Sequence, residues 1–399
     1  MYLTKEQENV LNGENGEALA KLMHLLVKIG EVNNANELIP IQSAQIAGVS
    51  YYTVGDAIFS FFKLLSKDNV KVKVPSWLNP AGMDREKWKE MNIEDNFVEK
   101  QFKIIQEYSK MGIEETLTCT PYLIGYEPAY GDHLAWSESS AVVIANSFFG
   151  ARTNREGGPS SLAAALIGLT PNYGLHLIEN RQPRVLVDVN TDINSLSDFS
   201  AMGYWYGSNY GGSIPIFENI KRLNLDEAKM LASAMAASGS VPIYHIQNIT
   251  PEAKNVNLSE MDETVIFTDK DLKKVYEHFN QISENVELVA IGCPHASIDD
   301  LNMIRSSIKD NRLKDGIEFW VFTSKKLAST EDAAAVIAEL EDKGLKIYTE
   351  TCMVVSPAVR KNYRNIITNS AKASFYLTKE DRTNVNLLSI GEIMEVVVE

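Results

Sequence analysis

The C-terminal half of this 399-residue chain predicts an α/β fold with a mostly parallel sheet. Two observations carry that prediction. From Leu231 onward, short apolar runs rich in Val and Ile alternate with helical stretches that open on a Ser or Thr cap. Two of the three cysteines, Cys293 and Cys352, each follow such a run and lie two strand–helix units apart. Ligands of open α/β sheets bind outside the carboxyl ends of the strands, so both thiols are expected at one edge of one sheet.

The N-terminal third reads as mostly helical. Glu17 to Ile29 has a helical apolar stripe, and Gly30 reads as its C′ stop. Ile39 to Ile46 reads as a strand ending at Gly48. Thr53 to Leu65 is expected to be a helix capped by Thr53, with Asp56 in its first turn, and Asn96 to Met111 a helix closed by Gly112. Leu117 to Tyr122 is extended, because Pro121 keeps Thr120 out of the helical region. Ser137 is expected to cap a helix running to Phe149. Pro159 suits the first position of a helix that continues over Ser160 to Leu169. Arg184 to Val189 is strand-like, and the glycine- and aromatic-rich residues 201–216 read as a packed loop. Beyond them, strands are expected at Val241 to Ile246, Thr264 to Thr268, Val286 to Gly292, Ile317 to Thr323, Leu345 to Thr349 and Asn365 to Thr368. Helices are expected at Asp269 to Ile282, from cap Ser297 to Ile308, and from cap Thr330 to Lys343. Three lobes follow: a mainly helical 1–115, a 116–230 part holding an anion-binding segment, and an α/β part, 231–399, carrying Cys293 and Cys352.

Composition narrows the function. A net charge of −15 repels phosphate backbones, so nucleic acid is not an expected partner. No stretch reaches the roughly 18–20 continuous apolar residues of a membrane span, and no membrane association is expected. Residues Met1 to Glu6 show neither a basic nor an apolar signal region. Three cysteines, an odd and small number, argue against a disulfide framework and for a reducing compartment, so a cytoplasmic location is expected.

Read alone, each cysteine has a bland alternative as a small buried apolar residue. A structural zinc site would need a fourth ligand and usually a paired CxxC spacing, which is absent. A catalytic thiol would need a base, and His295 stands two residues from Cys293. Cys119, Cys293 and Cys352 together can hold an iron–sulfur cluster and leave one iron open as a Lewis acid. The segment Gly150 to Pro159 sets Arg152, Asn154 and Arg155 before two glycines and a helix start. That pattern suits a small anion; the alternative is a structural turn with solvated arginines.

The segments Ile46–Tyr51, Thr118–Tyr122, Trp136–Ala141, Gly150–Pro159, Tyr173–His176, Glu179–Arg181, Gly292–His295 and Thr368–Lys372 resemble, in order, the catalytic part of the aconitase X family. The resemblance runs from about residue 2 to the end. Gln45 departs from it, at a position where a histidine is expected. The resemblance implies an aconitase-like, multi-lobed α/β/α architecture and a dehydratase. It implies Cys119, Cys293 and Cys352 as the ligands of a [4Fe-4S] cluster with one open iron. It also implies a separate small swivelling-domain subunit that supplies a catalytic serine and the main base, since the chain ends at Glu399 without room for that domain. A small anionic substrate is expected. The family's two activities are dehydration of (R)-5-phosphomevalonate to trans-anhydromevalonate 5-phosphate, in a modified mevalonate route to isoprenoids, and dehydration of cis-3-hydroxy-L-proline. The first is favoured, because the chain reads as a separate large subunit. A cluster-free binding or regulatory protein on the same scaffold is the alternative of another class. Substrate-binding candidates are Arg152, Asn154, Arg155, Ser137, Ser139 and Arg181. Lys372 is expected to bind a carboxylate or stabilise a developing enolate, and His133 and His295 to tune the cluster or relay protons.

Overall fold

The computed structural model describes residues 1–282, 285–379 and 383–399. The described residues form three parallel sheets and one small antiparallel ribbon, Leu38–Pro40 with Leu169–Pro171. The largest sheet has five strands, in the order Lys346–Thr349, Glu318–Thr323, Leu288–Ala296, Asn365–Thr368 and Asn384–Leu387. Alternation along these strands divides their side chains between two cores. Val289, Ile291, Phe319, Val321 and Ile347 pack on the helices Ile298–Ile308, Glu331–Asp342 and Ile390–Val397. Leu288, Ala290, Trp320, Phe322 and Tyr348 pack on the other face against Ala358, Val359, Ala373 and Leu377. Helices on both faces explain why these strands are apolar throughout rather than alternating.

A three-stranded parallel sheet joins Ser76–Leu78, Ser43–Ile46 and Leu134–Trp136. A four-stranded one joins His245–Ile246, Pro215–Glu218, Val185–Asn190 and Glu263–Thr268. The three-stranded and five-stranded sheets meet by their carboxyl ends. Ala81 N–H donates to the Glu350 carbonyl at 2.8 Å and Ala81 bridges Thr351. Ser50 Oγ donates to the Val355 carbonyl at 2.7 Å across the same seam.

Several expectations are corrected. Residues 201–216 are not a loop: the helix Leu196–Tyr210 covers most of them, opened by a capping box of Ser195 and Asp198. Its glycines mark close helix packing, since a Cβ on Gly203 would lie 2.5 Å from the Leu231 carbonyl oxygen. Gly30 lies inside the helix Glu17–Val32 and ends nothing. The single strand expected at 39–46 is two, in different sheets, turning after Pro40. The helix expected at 53–65 breaks at Gly55 into Tyr51–Val54 and Ala57–Leu65, with Ser50 and Asp56 rather than Thr53 at the cap positions. Glu138, not Ser137, caps the helix Ser139–Ser147. The helix after Gly157 is Gly158–Ile167, which puts Pro159 at its second position. The strand at 241–246 shrinks to its last two residues, and the helix from Asp269 ends at His278. Both lobe boundaries are crossed by a sheet. Leu134–Trp136 pairs with Ser43–Ile46 across 115/116, and Glu263–Thr268 pairs with Val185–Asn190 across 230/231. Such long-range pairings leave no mark in local periodicity.

Candidate active site

Each cysteine is held by an unusual local backbone. Gly292 has φ +99°, and a Cβ there would lie 2.1 Å from the Phe322 carbonyl oxygen, so only glycine lets the strand pass. Cys293 follows inside the strand Leu288–Ala296 rather than beyond it, where pairing with the neighbouring strand is interrupted between Ile291 and Ala296. Leu117 and Glu350, two residues before Cys119 and Cys352, both have positive φ, +46° and +65°. Non-glycine residues adopt this conformation only where surrounding interactions fix it.

The three thiols are free, buried, and line one cavity of about 190 Å³ at the seam between the two sheets. His295 ties their segments together. Its Nε2–H donates to the Thr351 carbonyl at 2.8 Å, and its Nδ1 lies 2.9 Å from Thr118 Oγ1. Its own backbone N–H donates to Cys119 Sγ at 3.2 Å. With both ring nitrogens engaged and burial pushing it down to about 4, this imidazole is neutral. It does not line the cavity.

Burial pushes the Cys293 thiol up to about 12, and burial followed by the Glu138 charge pushes Cys119 well above the thiol range. Three buried thiols become thiolates only beside a compensating cation. No group of three His, Cys, Asp or Glu among the described residues is arranged to hold a single metal ion. The three thiols all line one cavity wall, a donor set that an iron–sulfur cluster can use. The donor set of three sulfurs with no fourth suits a cluster with one open position.

The other chemistry in the cavity is an ion pair. Lys372 Nζ lies 2.6 Å from Glu138 Oε1, both side chains being 7% exposed. Glu138 Oε2 accepts from Ser140 Oγ at 2.6 Å and from Ala141 N–H at 2.8 Å. Burial raises the Glu138 pKa, but Lys372 and these donors outweigh it and hold the carboxyl below its ordinary value. Burial lowers that of Lys372, but Glu138 outweighs it and keeps the ammonium charged. Lys372 is the second residue of the helix Ala371–Lys379. A cation at the positive end of a helix, and buried, is unfavourable on both counts. Placed in a cleft that also holds the three thiols, Lys372 is a candidate functional group.

The remaining candidates separate by position. Ser137, Ser139 and Arg155 line the cavity. Ser137 Oγ donates to the Gln45 carbonyl at 2.5 Å and accepts from Ala47 N–H at 2.7 Å. Ser139 Oγ donates to Glu138 Oε1 at 3.3 Å. Arg155 is exposed at the mouth, with one long bond to the Ala236 carbonyl at 3.4 Å. Asn154, Arg152, Arg181 and His133 do not line the cavity. Asn154 clasps the Tyr173 carbonyl and Leu175 N–H, so both ends of its amide are used. Arg181 donates to Glu252, Asn146, Leu175 and Ala151 while fully buried. His133 shares a 3.0 Å hydrogen bond with His176 and pairs through its backbone with Arg152, before the strand Leu134–Trp136 that leads to Ser137 at the cavity. Gln45 is buried and braces the Thr118 carbonyl and Glu138 N–H at 3.4 and 3.3 Å.

Glu138, Tyr376, Asn79 and Pro80 line the cavity without having been singled out in the sequence. Glu138 had a legible signal, a lone charge among serines at the end of an apolar run. Tyr376 had another: it stands four residues after Lys372, on the same helix face.

Sequence models described as the first, second and third aconitase X domains match residues 1–179, 183–277 and 286–399. The phosphomevalonate dehydratase large subunit of Methanosarcina mazei is 47% identical over 94% of this chain and 92% of its own length. The cis-3-hydroxy-L-proline dehydratase of Pseudomonas aeruginosa is 30% identical over 92% of this chain but 65% of its own length. The holo-form crystal structure of Thermococcus kodakaraensis aconitase X matches with a TM-score of 0.93 at 43% identity, covering 100% of both chains.

Proposed function

The chain belongs to the aconitase X family, and from that premise we propose that it is the large subunit of a phosphomevalonate dehydratase. The observation that carries this reading is the cavity itself. Three thiols from three distant segments, with the Glu138–Lys372 pair, converge where two parallel sheets face each other by their carboxyl ends. In the loaded protein Cys119, Cys293 and Cys352 would hold a [4Fe-4S] cluster, whose open iron would supply the Lewis acid for the departing hydroxyl.

The chain's own residues do the rest. The Lys372 ammonium faces the cavity and binds the substrate carboxylate, so that negative charge developing next to the broken C–H bond forms beside a fixed cation. Glu138 keeps that ammonium charged and aimed. With Lys372 beside it the carboxylate is a poor base; the aconitase X resemblance assigns the base to a small partner subunit. Ser137 and Ser139, whose hydroxyl protons go to the Gln45 carbonyl and to Glu138, shape the cavity wall beside the substrate. Arg155, exposed at the mouth, takes the distal phosphate. Asn154, Arg152, Arg181, His133 and His295 are scaffold for this arrangement. Three unpaired thiols suit a reducing cytoplasm. No helix among the described residues is long and apolar enough to cross a membrane.

The test is anaerobic co-expression with the small subunit, followed by assay of (R)-5-phosphomevalonate and cis-3-hydroxy-L-proline. Brown protein containing iron and sulfide, turning over the first substrate to trans-anhydromevalonate 5-phosphate, is expected. Colourless protein without reconstitutable iron, or turnover of hydroxyproline alone, would overturn the reading.

A further inference from the structure

The three thiol-bearing segments are tied to one another by residues other than cysteine. His295 is one tie, described above. The second lies outside the cavity. Arg85 Nε and Nη2 make a two-point pair with the Glu350 carboxylate, at 2.9 and 2.5 Å, and Arg85 Nη1 reaches Glu115 Oε2 at 2.5 Å. Glu350 stands two residues before Cys352, and Glu115 four residues before Cys119. Glu350 is the residue with φ +65° and is 1% exposed. Its carbonyl is held by Ala81 N–H, four residues before Arg85, so the same short segment grips both its backbone and its side chain.

We propose that Arg85 is a positioning residue for the three-thiol cradle, clamping the Cys352 segment against the Cys119 segment and so setting how firmly a cluster is retained. The inference rests on the cluster reading above. Arg85 does not line the cavity, so it does not touch substrate. Three of its nitrogens are used at fixed angles by two carboxylates, a geometry that a planar guanidinium supplies and an ammonium does not. Removing it leaves the buried Glu350 carboxylate without its two-point partner, at the residue that sets the path of the chain into Cys352. Groups that orient metal ligands in this way commonly change metal affinity by about 10- to 100-fold when lost.

The experiment loads the full chain anaerobically and compares wild type with Arg85→Met, Arg85→Lys and a control, Lys361→Met. The control removes an exposed ion pair to Glu94. Two readouts are taken: the rate at which iron passes to a chelator without oxygen, and the electron paramagnetic resonance spectrum of the reduced cluster. Arg85→Met is expected to release iron about 10- to 100-fold faster and to alter the spectrum. Arg85→Lys should fall between, and Lys361→Met should match wild type. A role confined to general stability would lower the thermal midpoint of the cluster-free chain and leave the spectrum as it was. A wild-type release rate in Arg85→Met overturns the proposal. If that variant does not fold, a wild-type rate and spectrum in Arg85→Lys overturn it. Wild-type protein that takes up no iron overturns the cluster reading first, and this inference with it.

Discussion

Two buried lysines lie near the end of the strand that carries Cys293, and their surroundings differ. Lys229 Nζ is held by Asp226 at 2.7 Å and Asp300 at 2.6 Å, and reaches the His295 carbonyl at 3.3 Å. All three donors of its ammonium are used by the protein, and it lines no described cavity. Lys372 has one carboxylate partner, Glu138, and faces the cavity of the thiols. Burial depresses both ammonium groups and neighbouring carboxylates more than reverse it, so both stay charged. The difference is in what is left over. Among the described residues, Lys229 has no donor left to offer a ligand and Lys372 has two. A buried charge is therefore informative about function only once its partners are counted against its donors.

The largest expected effect separates them by activity. Lys372→Met should lower kcat about a thousandfold, the size of losing one fixed electrostatic donor at a reacting centre. It also strands Glu138, so it should destabilise the fold. The double variant Lys372→Met with Glu138→Gln should recover stability in denaturant titration and remain inactive. Recovery of activity in the double variant would show that Lys372 serves only to neutralise Glu138, and the contrast with Lys229 would collapse.

The reverse signature is expected of Lys229. Lys229→Met leaves the buried Asp300 carboxylate beside the partly buried Asp226 without its cation and should cost about 3 kcal/mol of stability, read from the denaturant midpoint. Activity per iron-loaded, folded molecule should stay within about twofold of wild type. A larger loss at full folding would mean that the Lys229 bond to the His295 carbonyl reaches the chemistry. Arg155→Ala sharpens the same point at the cavity mouth. An exposed arginine with one long bond is free for a ligand, and losing a charged hydrogen bond of about 2 kcal/mol should raise KM roughly thirtyfold with kcat little changed.

How far the sequence could be read follows the same division. The strand–helix alternation placed Cys293 and Cys352 at one sheet edge because each unit is local and its caps are visible, as at Ser297 and Thr330. That Cys119 joins them depends on a second sheet whose strands, Ser43–Ile46, Ser76–Leu78 and Leu134–Trp136, are three or four residues long and paired across gaps no periodicity records. Charge alone misled where acceptors were invisible. Asn154 and Arg181 look like anion binders in a polar, glycine-rich stretch, yet backbone carbonyls and Glu252 take up their donors. Glu138 was passed over for the opposite reason: its importance lies in Lys372, 234 positions away. The glycines of 196–210 looked like loop residues because close helix packing and turn formation call for the same amino acid.

A third buried base extends the comparison, with the smallest effect. His176 is 1% exposed, and unlike either lysine it has no carboxylate partner; Nδ1 meets His133 and Nε2 meets nothing among the described residues. Burial first, then the neighbouring His133, push it down to about 3. In the unfolded chain it titrates near 6.5. Its folded-state pKa is depressed, so the unfolded chain binds the extra proton as pH falls through 6.5, and the fold loses stability from there down toward pH 3. At pH 5.5 the loss is about 1.4 kcal/mol for this one group. The thermal midpoint should therefore fall between pH 7 and 5.5, and His176→Gln should make that fall shallower than in wild type. An unchanged slope would mean that the buried imidazole finds a counter-charge in solution, and that the rule drawn from the two lysines, in which a carboxylate decides whether a buried base keeps its proton, does not extend to it.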